Sequence, residues 1–155
     1  MWQPEVLLLL TLYLTLGVPV SMAGPATFTT IDVPGSFGTA PSGINPSGEI
    51  VGAYFDAAGM VHGFLLSKGV FTPIEVPGAT GTDAFGVNPA GEIVGIYFDS
   101  SFELHGFLFS KGVFTTIDVP GAYLTIATMI NPAREILGVF IDGSGLHGFL
   151  RSTGK

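Results

Sequence analysis

The sequence contains no cysteine and few charged residues, and each shortage limits what the protein can be. None of its 155 residues is Cys, and only 11% are Asp, Glu, Lys or Arg. Disulfides therefore play no part in the fold, and no thiol can act as a nucleophile or a metal ligand. The length is that of a single domain.

Basic residues are the scarcest charged class. The chain has five Lys and Arg against 12 Asp and Glu, and of these 12 only Glu5 lies in the first 23 residues. Phosphate neutralisation needs clustered Lys and Arg, and the sequence has no such cluster. The acidic balance likewise gives no attraction to anionic lipid surfaces. We therefore predict no nucleic acid partner and, after removal of the N-terminal segment, no membrane partner.

Long apolar runs are also scarce, and the one at the N-terminus is short. Val6 to Leu16 is a mostly Leu run of 11 residues, whereas a membrane-spanning helix needs about 20. Ser21-Met-Ala23 then supplies small residues at the two positions that a signal peptidase reads. We predict a signal peptide at residues 1–23 and a mature chain that is secreted or periplasmic. Because no Lys or Arg precedes the run, an uncleaved N-terminal anchor is the alternative.

The remainder of the chain consists of three copies of one unit. The segments that begin at Phe28, Phe71 and Phe114 all read Phe-Thr-x-Ile, an acidic residue, and Val-Pro-Gly. Further motifs recur at the same offset of 43 residues, shortened by one late in the third copy: Asn45-Pro, Asn88-Pro and Asn131-Pro; Ile50-Val-Gly, Ile93-Val-Gly and Ile136-Leu-Gly; His62-Gly-Phe-Leu, His105-Gly-Phe-Leu and His147-Gly-Phe-Leu. We place the copies at about residues 28–70, 71–113 and 114–155 of a single β-repeat domain, residues 24–155.

Each copy has the composition of strands and turns. In the middle copy, segments rich in β-branched and aromatic residues predict strands at 70–76, 84–87, 92–98 and 104–110. Pro77-Gly78 suits a type II turn, and Asn88-Pro-Ala-Gly91 suits a type I turn. Outside the N-terminal segment, no stretch has helical periodicity with caps. The fold class is therefore predicted to be all-β, with three firm strands and one short strand in each copy.

The apolar residues of these strands do not alternate with polar ones. Ile93 to Phe98 and Phe107 to Phe109 are apolar at nearly every position, which is typical of strands that are buried on both faces. Small four-stranded sheets that stack face to face, as β-propeller blades do, bury both faces and have repeats of this length. Gly52, Gly95 and Gly138 inside the central strands indicate close approach of another backbone. We predict a propeller-like array of three four-stranded blades, with a three-fold β-trefoil-like or prism-like domain as the alternative.

The sequence does not decide how three copies are arranged, since propellers usually have about four to eight blades. A single chain could form a three-fold ring, a homodimer could complete a six-bladed ring, or the array could be an open arc. In a closed ring the segment that begins at Phe28 would be the outer strand of the last sheet, because a strand of this kind would follow His147-Gly-Phe-Leu. Closure would remove an open sheet edge.

The repeat as a whole reads Asn-Pro-x-Gly-Glu-Ile-Val-Gly, Tyr-Phe-Asp, His-Gly-Phe-Leu and Phe-Thr-x-Ile-Asp-Val-Pro-Gly over residues 28–152. This set of motifs resembles the extracellular HAF repeat family. That family is named for a His-Ala-Phe triplet, whose middle residue is Gly in all three copies here. The resemblance implies an exported bacterial protein of repeated β-units without an established biochemical activity, and it implies no catalytic residues.

His62, His105 and His147 occupy one position of the repeat. Three imidazoles that converged on an axis could bind Zn²⁺ or another transition metal. However, recurrence in every copy is what a structural role predicts, because each blade needs the same packing. We therefore expect each His to hydrogen-bond the neighbouring turn, and we predict no metal site and no cofactor.

An Asp precedes each His across a turn, at Asp56, Asp99 and Asp142. A base held by an acid belongs to a hydrolytic site only when a nucleophile is within reach. Ser67 and Ser110 follow their His by five residues, an odd separation that places the two side chains on opposite faces of a strand. We therefore predict no catalytic residues. The acidic turns also offer too few oxygens for Ca²⁺.

The third copy departs from the other two. Its loop, residues 122–129, is more apolar than its counterparts, and Arg134 replaces the Gly of the Asn-Pro turn. Exposed Tyr123, Leu124 and Ile126 would form an apolar patch suited to a partner or a second subunit. Alternatively, these side chains fill a gap between blades.

These patterns indicate an exported, non-enzymatic protein that serves as a structural or binding scaffold, with a glycan or a protein as its unidentified ligand. The alternative is a hydrolase or lyase that acts on extracellular polysaccharide at the centre of the ring. Such an enzyme would need carboxylates in one cavity, and Glu49, Glu92 and Glu135 are the Glu set repeated in every copy. The residues that bind a ligand are not assigned by the sequence.

Overall fold

The computed structural model describes Gly24 and residues 26–152. Every regular element among them is a β-strand, which confirms the predicted all-β class. In this part of the chain no helix is long and apolar enough to cross a membrane. The predicted signal peptide, residues 1–23, lies outside the described residues.

The described strands form three antiparallel sheets, in which each strand pairs with its neighbours in sequence. Sheet A contains β1 (Gly38–Ile44), β2 (Ile50–Phe55), β3 (Val61–Ser67) and β4 (Val70–Ile74). Sheet B contains β5 (Gly81–Val87), β6 (Ile93–Phe98), β7 (Leu104–Ser110) and β8 (Val113–Ile117). Sheet C contains β9 (Leu124–Ile130), β10 (Ile136–Asp142) and β11 (Gly145–Arg151). The three predicted copies thus appear as three similar sheets.

The chain divides by its internal contacts into residues 1–30 and residues 31–155, and all the described strands belong to the second unit. The strand predicted at Phe28 is wrong for the described chain, because residues 26–33 contain no strand. Phe-Thr-Thr-Ile has the composition of a strand, but a strand exists only where a ladder satisfies its backbone groups. Sheet C accordingly has three strands, whereas sheets A and B have the predicted four.

The turns follow the residue types that the sequence supplies. Lys111 and Gly112 join β7 to β8 with φ values of 52° and 82°, the type I′ pattern that matches the twist of a hairpin. The predicted turn at Asn88 is present, since the Gly91 N–H donates to the Asn88 carbonyl at 3.0 Å. The Pro77-Gly78 turn is also present and is closed by a bond of 3.1 Å.

Each sheet has a β-bulge in its first strand opposite a glycine. In sheet B the register of β5 on β6 shifts after Ala84, the residue that pairs with Gly95. A Cβ at Gly95 would collide with the backbone carbonyl of Asp83, and Gly52 and Gly138 meet the corresponding carbonyls of their own sheets. The predicted close approach of another backbone to these glycines is confirmed. That backbone belongs to the neighbouring strand of the same sheet.

The sheets stack face to face in the order A, B, C. We name the face toward the preceding sheet the rear face and the face toward the following sheet the forward face. The core between A and B contains Val51, Ile74, Ala84, Val87, Ile93 and Phe107. The core between B and C contains Val94, Leu108, Ile117, Ala127, Ile130 and Ile136. Ile93 and Val94 are adjacent and both fully buried, so the middle sheet is covered on both faces as predicted.

The first strands of successive sheets approach one another closely. A Cβ at Gly43 would lie 2.5 Å from the carbonyl oxygen of Phe85, and a Cβ at Gly86 would lie 3.1 Å from that of Thr128. The first contact would require the backbone to shift, and the second is tighter than most real Cβ contacts. Glycine at this repeat position therefore brings two backbones together, and in sheet C the position is occupied by Met129.

Candidate functional site

An Asn side chain holds the turn between the first and second strands of each sheet. Asn88 Oδ1 accepts hydrogen bonds from the backbone N–H groups of Ala90 and Glu92, both at 3.0 Å. Its Nδ2 donates to the Glu92 carboxylate at 2.9 Å. Asn45 and Asn131 make equivalent bonds to the Glu four residues further on. The repeated Asn and Glu thus form one local structure in every copy.

The same Asn side chains connect neighbouring sheets. Asn45 Nδ2 donates to the Asn88 carbonyl at 3.0 Å, and Asn88 Nδ2 donates to the Asn131 carbonyl at 3.4 Å. Asn88 is only 1% exposed, and a buried polar group that loses its partner costs about 1–3 kcal/mol. Because these bonds join like turns, the Asn–Glu turns share one end of the stack, which we name the Asn–Glu end.

Arg134 adds a contact that the other copies lack. It has a φ of 65° at the position where they have glycine, and its Nε lies 2.9 Å from the Glu92 carboxylate. Glu92 is buried and also accepts a hydrogen bond from Ser110 Oγ at 2.8 Å. Burial opposes ionisation of Glu92, but the bonds from Ser110 and Asn88 and the charge of Arg134 outweigh it and hold the pKa of this carboxyl below its ordinary value. Glu92 is therefore an ionised carboxylate whose oxygens are occupied.

The repeated Asp and His lie at the opposite end of the stack, the Asp–His end, because their turn joins the second strand to the third. Asp56 Oδ1 accepts two backbone N–H groups of its own turn at 2.8 Å, and its Oδ2 lies 3.3 Å from His62 Nε2. The corresponding separations are 3.6 Å for Asp99 and His105 and 3.3 Å for Asp142 and His147. The predicted contact between the Asp and the His of each copy is confirmed.

Hydrogen bonds hold the pKa of these Asp carboxyls below the ordinary value of 3.8. For Asp56 the largest cause is the Met60 backbone N–H, and for Asp142 it is the Ser144 hydroxyl. A carboxyl with a lowered folded-state pKa contributes stability that is complete above its unfolded-state pKa. That stability is lost only as the pH falls below about 3.8 and through the folded-state value.

Each His ring stacks on an aromatic ring of the preceding strand. The ring centroids lie 5.1 Å apart for His62 and Tyr54, 5.1 Å for His105 and Tyr97, and 5.0 Å for His147 and Phe140. Nδ1 of His62 lies 2.9 Å from Glu75, and Nδ1 of His105 lies 3.1 Å from Asp118. Among the described residues His147 has no such second acid, because the matching position follows β11. The histidines are thus packed into their own sheets.

Ser67 and Ser110, the candidate nucleophiles of the sequence analysis, bond to carboxylates and not to the histidines. Ser67 Oγ lies 3.5 Å from the Glu49 carboxylate, and Ser110 Oγ lies 2.8 Å from that of Glu92. Both serines therefore donate hydrogen bonds to the Glu carboxylates of the Asn–Glu end. Their predicted separation from the His side chains is confirmed.

Ser144 is a polar neighbour of His147 that the sequence reasoning missed. Its Oγ lies 2.9 Å from His147 Nε2 and 2.7 Å from Asp142 Oδ1. In a catalytic triad the acid binds one ring nitrogen and the nucleophile the other. Here Asp142 and Ser144 both face Nε2, so the acid cannot orient the ring for proton transfer from the serine. The signal in the sequence is the two-residue loop between β10 and β11, which turns Ser144 back toward the His.

The described residues bring one group of three possible metal ligands together. Asp99, Glu103 and His105 place ligand atoms within 4.8 Å of one another. Asp99 already accepts two backbone hydrogen bonds within its turn and contacts His105. Exposed acidic groups of this kind are common without an ion, and we assign no metal to the group of Asp99, Glu103 and His105. The three repeated histidines belong to three different sheets, each beside its own Asp.

Exposed aromatic side chains distinguish the Asp–His end. Phe37 is 90% exposed, Tyr123 is 72% exposed, and both directly precede the first strand of a sheet. Phe102, 74% exposed, lies in the turn after β6. Of the apolar patch predicted in the third copy, Tyr123 alone is exposed, whereas Leu124 and Ile126 are half-buried. Both residues belong to β9, which pairs with β10.

Asp83 is a second feature that the sequence reasoning missed. Its Oδ1 is buried without a hydrogen-bond partner among the described residues, and burial raises the pKa of this carboxyl to about 6. The corresponding residues are Ala40 and Ile126, so the carboxylate is not part of the packing that the copies share.

Comparison of the chain with family models, with curated proteins and with solved structures gave no match.

Proposed function

We propose that the protein is an exported scaffold without enzymatic activity, which presents the Asp–His end of its sheets to a ligand. The observation that carries this proposal is the use of the repeated polar side chains. In every copy the Asn bonds the Glu, the Asp bonds its own turn, and the His lies between the Asp and an aromatic ring. Side chains with these partners hold turns and connect sheets, so they are not available for a chemical step.

The alternative, an enzyme that acts on polysaccharide, receives less support. A glycoside hydrolase that used the repeated Glu set would need one of these carboxyls to have a raised pKa, so that it donates a proton. Among Glu49, Glu92 and Glu135, the buried Glu92 has a lowered pKa and accepts hydrogen bonds from Asn88 and Ser110 besides its pair with Arg134. These contacts favour the ionised form, which does not act as an acid.

The Asp–His end is the favoured binding face because its exposed aromatics are not part of the repeat. Phe37 and Tyr123 correspond to Thr80 in the middle copy, and Phe102 corresponds to Gly59. Loops on a rigid scaffold commonly carry binding residues, and exposed aromatic rings beside carboxylates suit a ligand with both apolar and polar faces. A glycan meets this description, and so does a peptide segment.

A glycan array with the purified full chain tests the proposal. We expect binding to a defined set of glycans and a loss of about tenfold or more in affinity when Phe102→Ala and Tyr123→Ala are combined. Val113→Ala is the matched control, because Val113 is 62% exposed and starts β8 near the Asn–Glu end. A wholly negative array contradicts a glycan as the ligand.

Turnover of a polysaccharide that is abolished by replacing Glu49, Glu92 and Glu135 with Gln would establish the alternative, an enzyme that acts on polysaccharide.

A further inference from the structure

Sheet C lacks a fourth strand among the described residues, and one segment has the sequence of that strand. Residues 27–31 match the sequence of β8 except at the first position, where Thr27 replaces a Val, but they have no strand structure. In sheet B the fourth strand pairs with the third so that Leu108 faces Thr115. The same positions of the repeat are Leu150 in β11 and Thr29 in residues 27–31.

We propose that residues 27–31 of a second copy of this chain form the fourth strand of sheet C. The rear face of sheet A in that second copy then covers the forward face of sheet C. Reciprocal donation by two copies gives a closed ring of six sheets, whereas closure of one chain on itself would give a ring of three. Six lies within the range of about four to eight blades that propellers adopt, and three does not. This proposal goes beyond the proposed function and does not depend on it.

The rear face of sheet A already has the start of such a junction. The Val33 N–H donates to Thr39 Oγ1 at 2.9 Å, as Val76 donates to Thr82 and Val119 to Thr125 in the following copies. In those copies this bond fixes the link between the fourth strand of one sheet and the first strand of the next. Ile31, at the position of Ile74, lines an apolar groove of about 290 Å³ with Pro41, Ile44 and Ile50. The link that leaves residues 27–31 is therefore built like the two internal links.

The free rear face of sheet A and the free forward face of sheet C carry the same apolar repeat positions as the two faces that meet in each internal junction. Ile44 is 68% exposed on sheet A, whereas its counterparts on sheets B and C, Val87 and Ile130, are 8% and 9% exposed. Leu150 is 62% exposed on sheet C, whereas Leu108 is 7% exposed on sheet B. Leu137 is 47% exposed, and its counterparts Val51 and Val94 are fully buried. These repeat positions are more buried where a neighbouring sheet is present than where it is absent, and Leu65 on sheet A is half-buried.

Polar groups at the two faces complement each other in the same way. Asn131 Nδ2 donates to Glu135, but among the described residues it has no carbonyl of a following sheet to bind, as Asn45 and Asn88 do. The carbonyl of Asn45 in a second copy occupies that place in the proposed junction. Asp32 has the repeat position of Glu75 and Asp118, which approach Nδ1 of the first two histidines. In the second copy it would supply the missing acid to His147.

The donated strand would also complete an aromatic pair in sheet C, between Phe149 and Phe28 of the second copy. Phe64 and Phe107 each meet a Phe of the fourth strand edge to face, at 5.5 Å and 5.6 Å. The counterpart in sheet C is Phe149, and the Phe of residues 27–31 is Phe28, which is 93% exposed. A cleft of about 450 Å³ at the free edge of β11 is lined by Phe149 and Leu150 on one side and by residues 116–120 on the other. This cleft receives the donated strand.

Met129 makes this junction looser than the internal ones. The internal junctions have Gly43 and Gly86 at the position where two first strands approach, and a Cβ there would lie 2.5 Å and 3.1 Å from a carbonyl oxygen of the following sheet. A Met at this position holds the first strands of the two copies further apart. The association between copies is therefore weaker than the packing within one chain, and it depends on concentration.

A designed cysteine pair tests the pairing directly, since the chain has no cysteine of its own. In the full chain expressed in a secreting host, Thr29→Cys with Leu150→Cys places the two sulfurs on directly paired residues. We expect mild oxidation to give a covalent dimer on a non-reducing gel, whereas a ladder of larger species would contradict closure of the ring by two copies. Thr30→Cys with Leu150→Cys is the matched control, because it is one residue out of register and its side chains point to opposite faces.

Any one of the following results would overturn the proposal. The first is a disulfide-linked monomer, which would mean that residues 27–31 close on their own chain. The second is no cross-link, or equal cross-linking in both registers. The third is a monomeric mass by light scattering at every concentration. Ile44→Asp on the free face of sheet A should weaken association at least tenfold with an unchanged circular dichroism spectrum, and an unaffected dimer would also contradict the proposed interface.

Discussion

Asp83 places a carboxylate in β5 where the other two copies carry Ala40 and Ile126. Its buried oxygen has no hydrogen-bond partner among the described residues, and burial raises its pKa from 3.8 to about 6. A carboxyl whose pKa is higher in the folded state binds its proton more tightly there. Its contribution to stability is therefore complete below pH 3.8 and is lost as the pH rises to about 6.

Replacing this residue should stabilise the protein in a pH-dependent manner. We expect Asp83→Ala to raise the free energy of unfolding at pH 8 by about 1–2 kcal/mol, after allowance for the partial exposure of the carboxyl. At pH 4 the gain should be much smaller, because the native carboxyl is then protonated. Urea denaturation at both pH values measures the effect, and Glu103→Ala controls for the loss of an acid. Equal gains at the two pH values would show that burial of the charge is not the cause.

The β-bulge is the element that makes each sheet intolerant of change at its centre. Gly95 lies opposite the bulge of β5, and a Cβ there would collide with the carbonyl of Asp83 and with the neighbouring ring of Phe107. The collision involves backbone rather than the end of a flexible side chain. The bulge can relieve it only by losing its pairing with β6.

We expect Gly95→Ala to lower the free energy of unfolding by about 2–3 kcal/mol, the cost of overpacking in a close-packed interior. Gly38→Ala is the matched control, because Gly38 also lies in a strand but a Cβ there would approach no atom more closely than 4.0 Å. Thermal and chemical denaturation of the two variants give the comparison. If both substitutions have the same effect, the loss reflects strand propensity and not the bulge.

The elements that the sequence predicts best are those with local signals. The strand expected at 104–110 matches β7 in full, and the turn at Asn88 forms as its residues dictate. The short strand expected at 84–87 is β5, which begins earlier, at Gly81. Gly and Asp have low strand propensity, but pairing with β6 recruits them into the ladder. Here the tertiary partner overrides the local preference.

In the candidate site, too, the contacts within one copy were predictable from the sequence and the contacts between copies were not. The contact between Asp99 and His105 is predictable because a short turn brings the two residues together. The bond from Asn88 to the Asn131 carbonyl and the pair between Arg134 and Glu92 join residues 43 and 42 positions apart. These contacts depend on how one sheet stacks on the next, which the sequence of a single copy does not specify.

At the scale of the whole molecule, Met129 controls the proposed association between copies. Met129→Gly restores the residue type of the two internal junctions and should strengthen association about tenfold or more, since relief of overpacking is worth about 1–3 kcal/mol. Sedimentation over a range of concentrations measures the change. Met60→Gly is the control, because Met60 is partly exposed in a turn away from this face. Weaker association of Met129→Gly would mean that the Met side chain is itself part of the interface.

The pairing of every described strand with its neighbours in sequence also determines how the protein acquires its structure. Connections of two to five residues join the strands within a sheet, so little chain entropy is lost when each hairpin closes. A chain that emerges N-terminus first can complete sheet A before the residues of sheet B have appeared. Sheet A then offers its forward face as a template for sheet B, and sheet B does the same for sheet C. We therefore expect folding to be directional, with the sheets forming in the order of their synthesis.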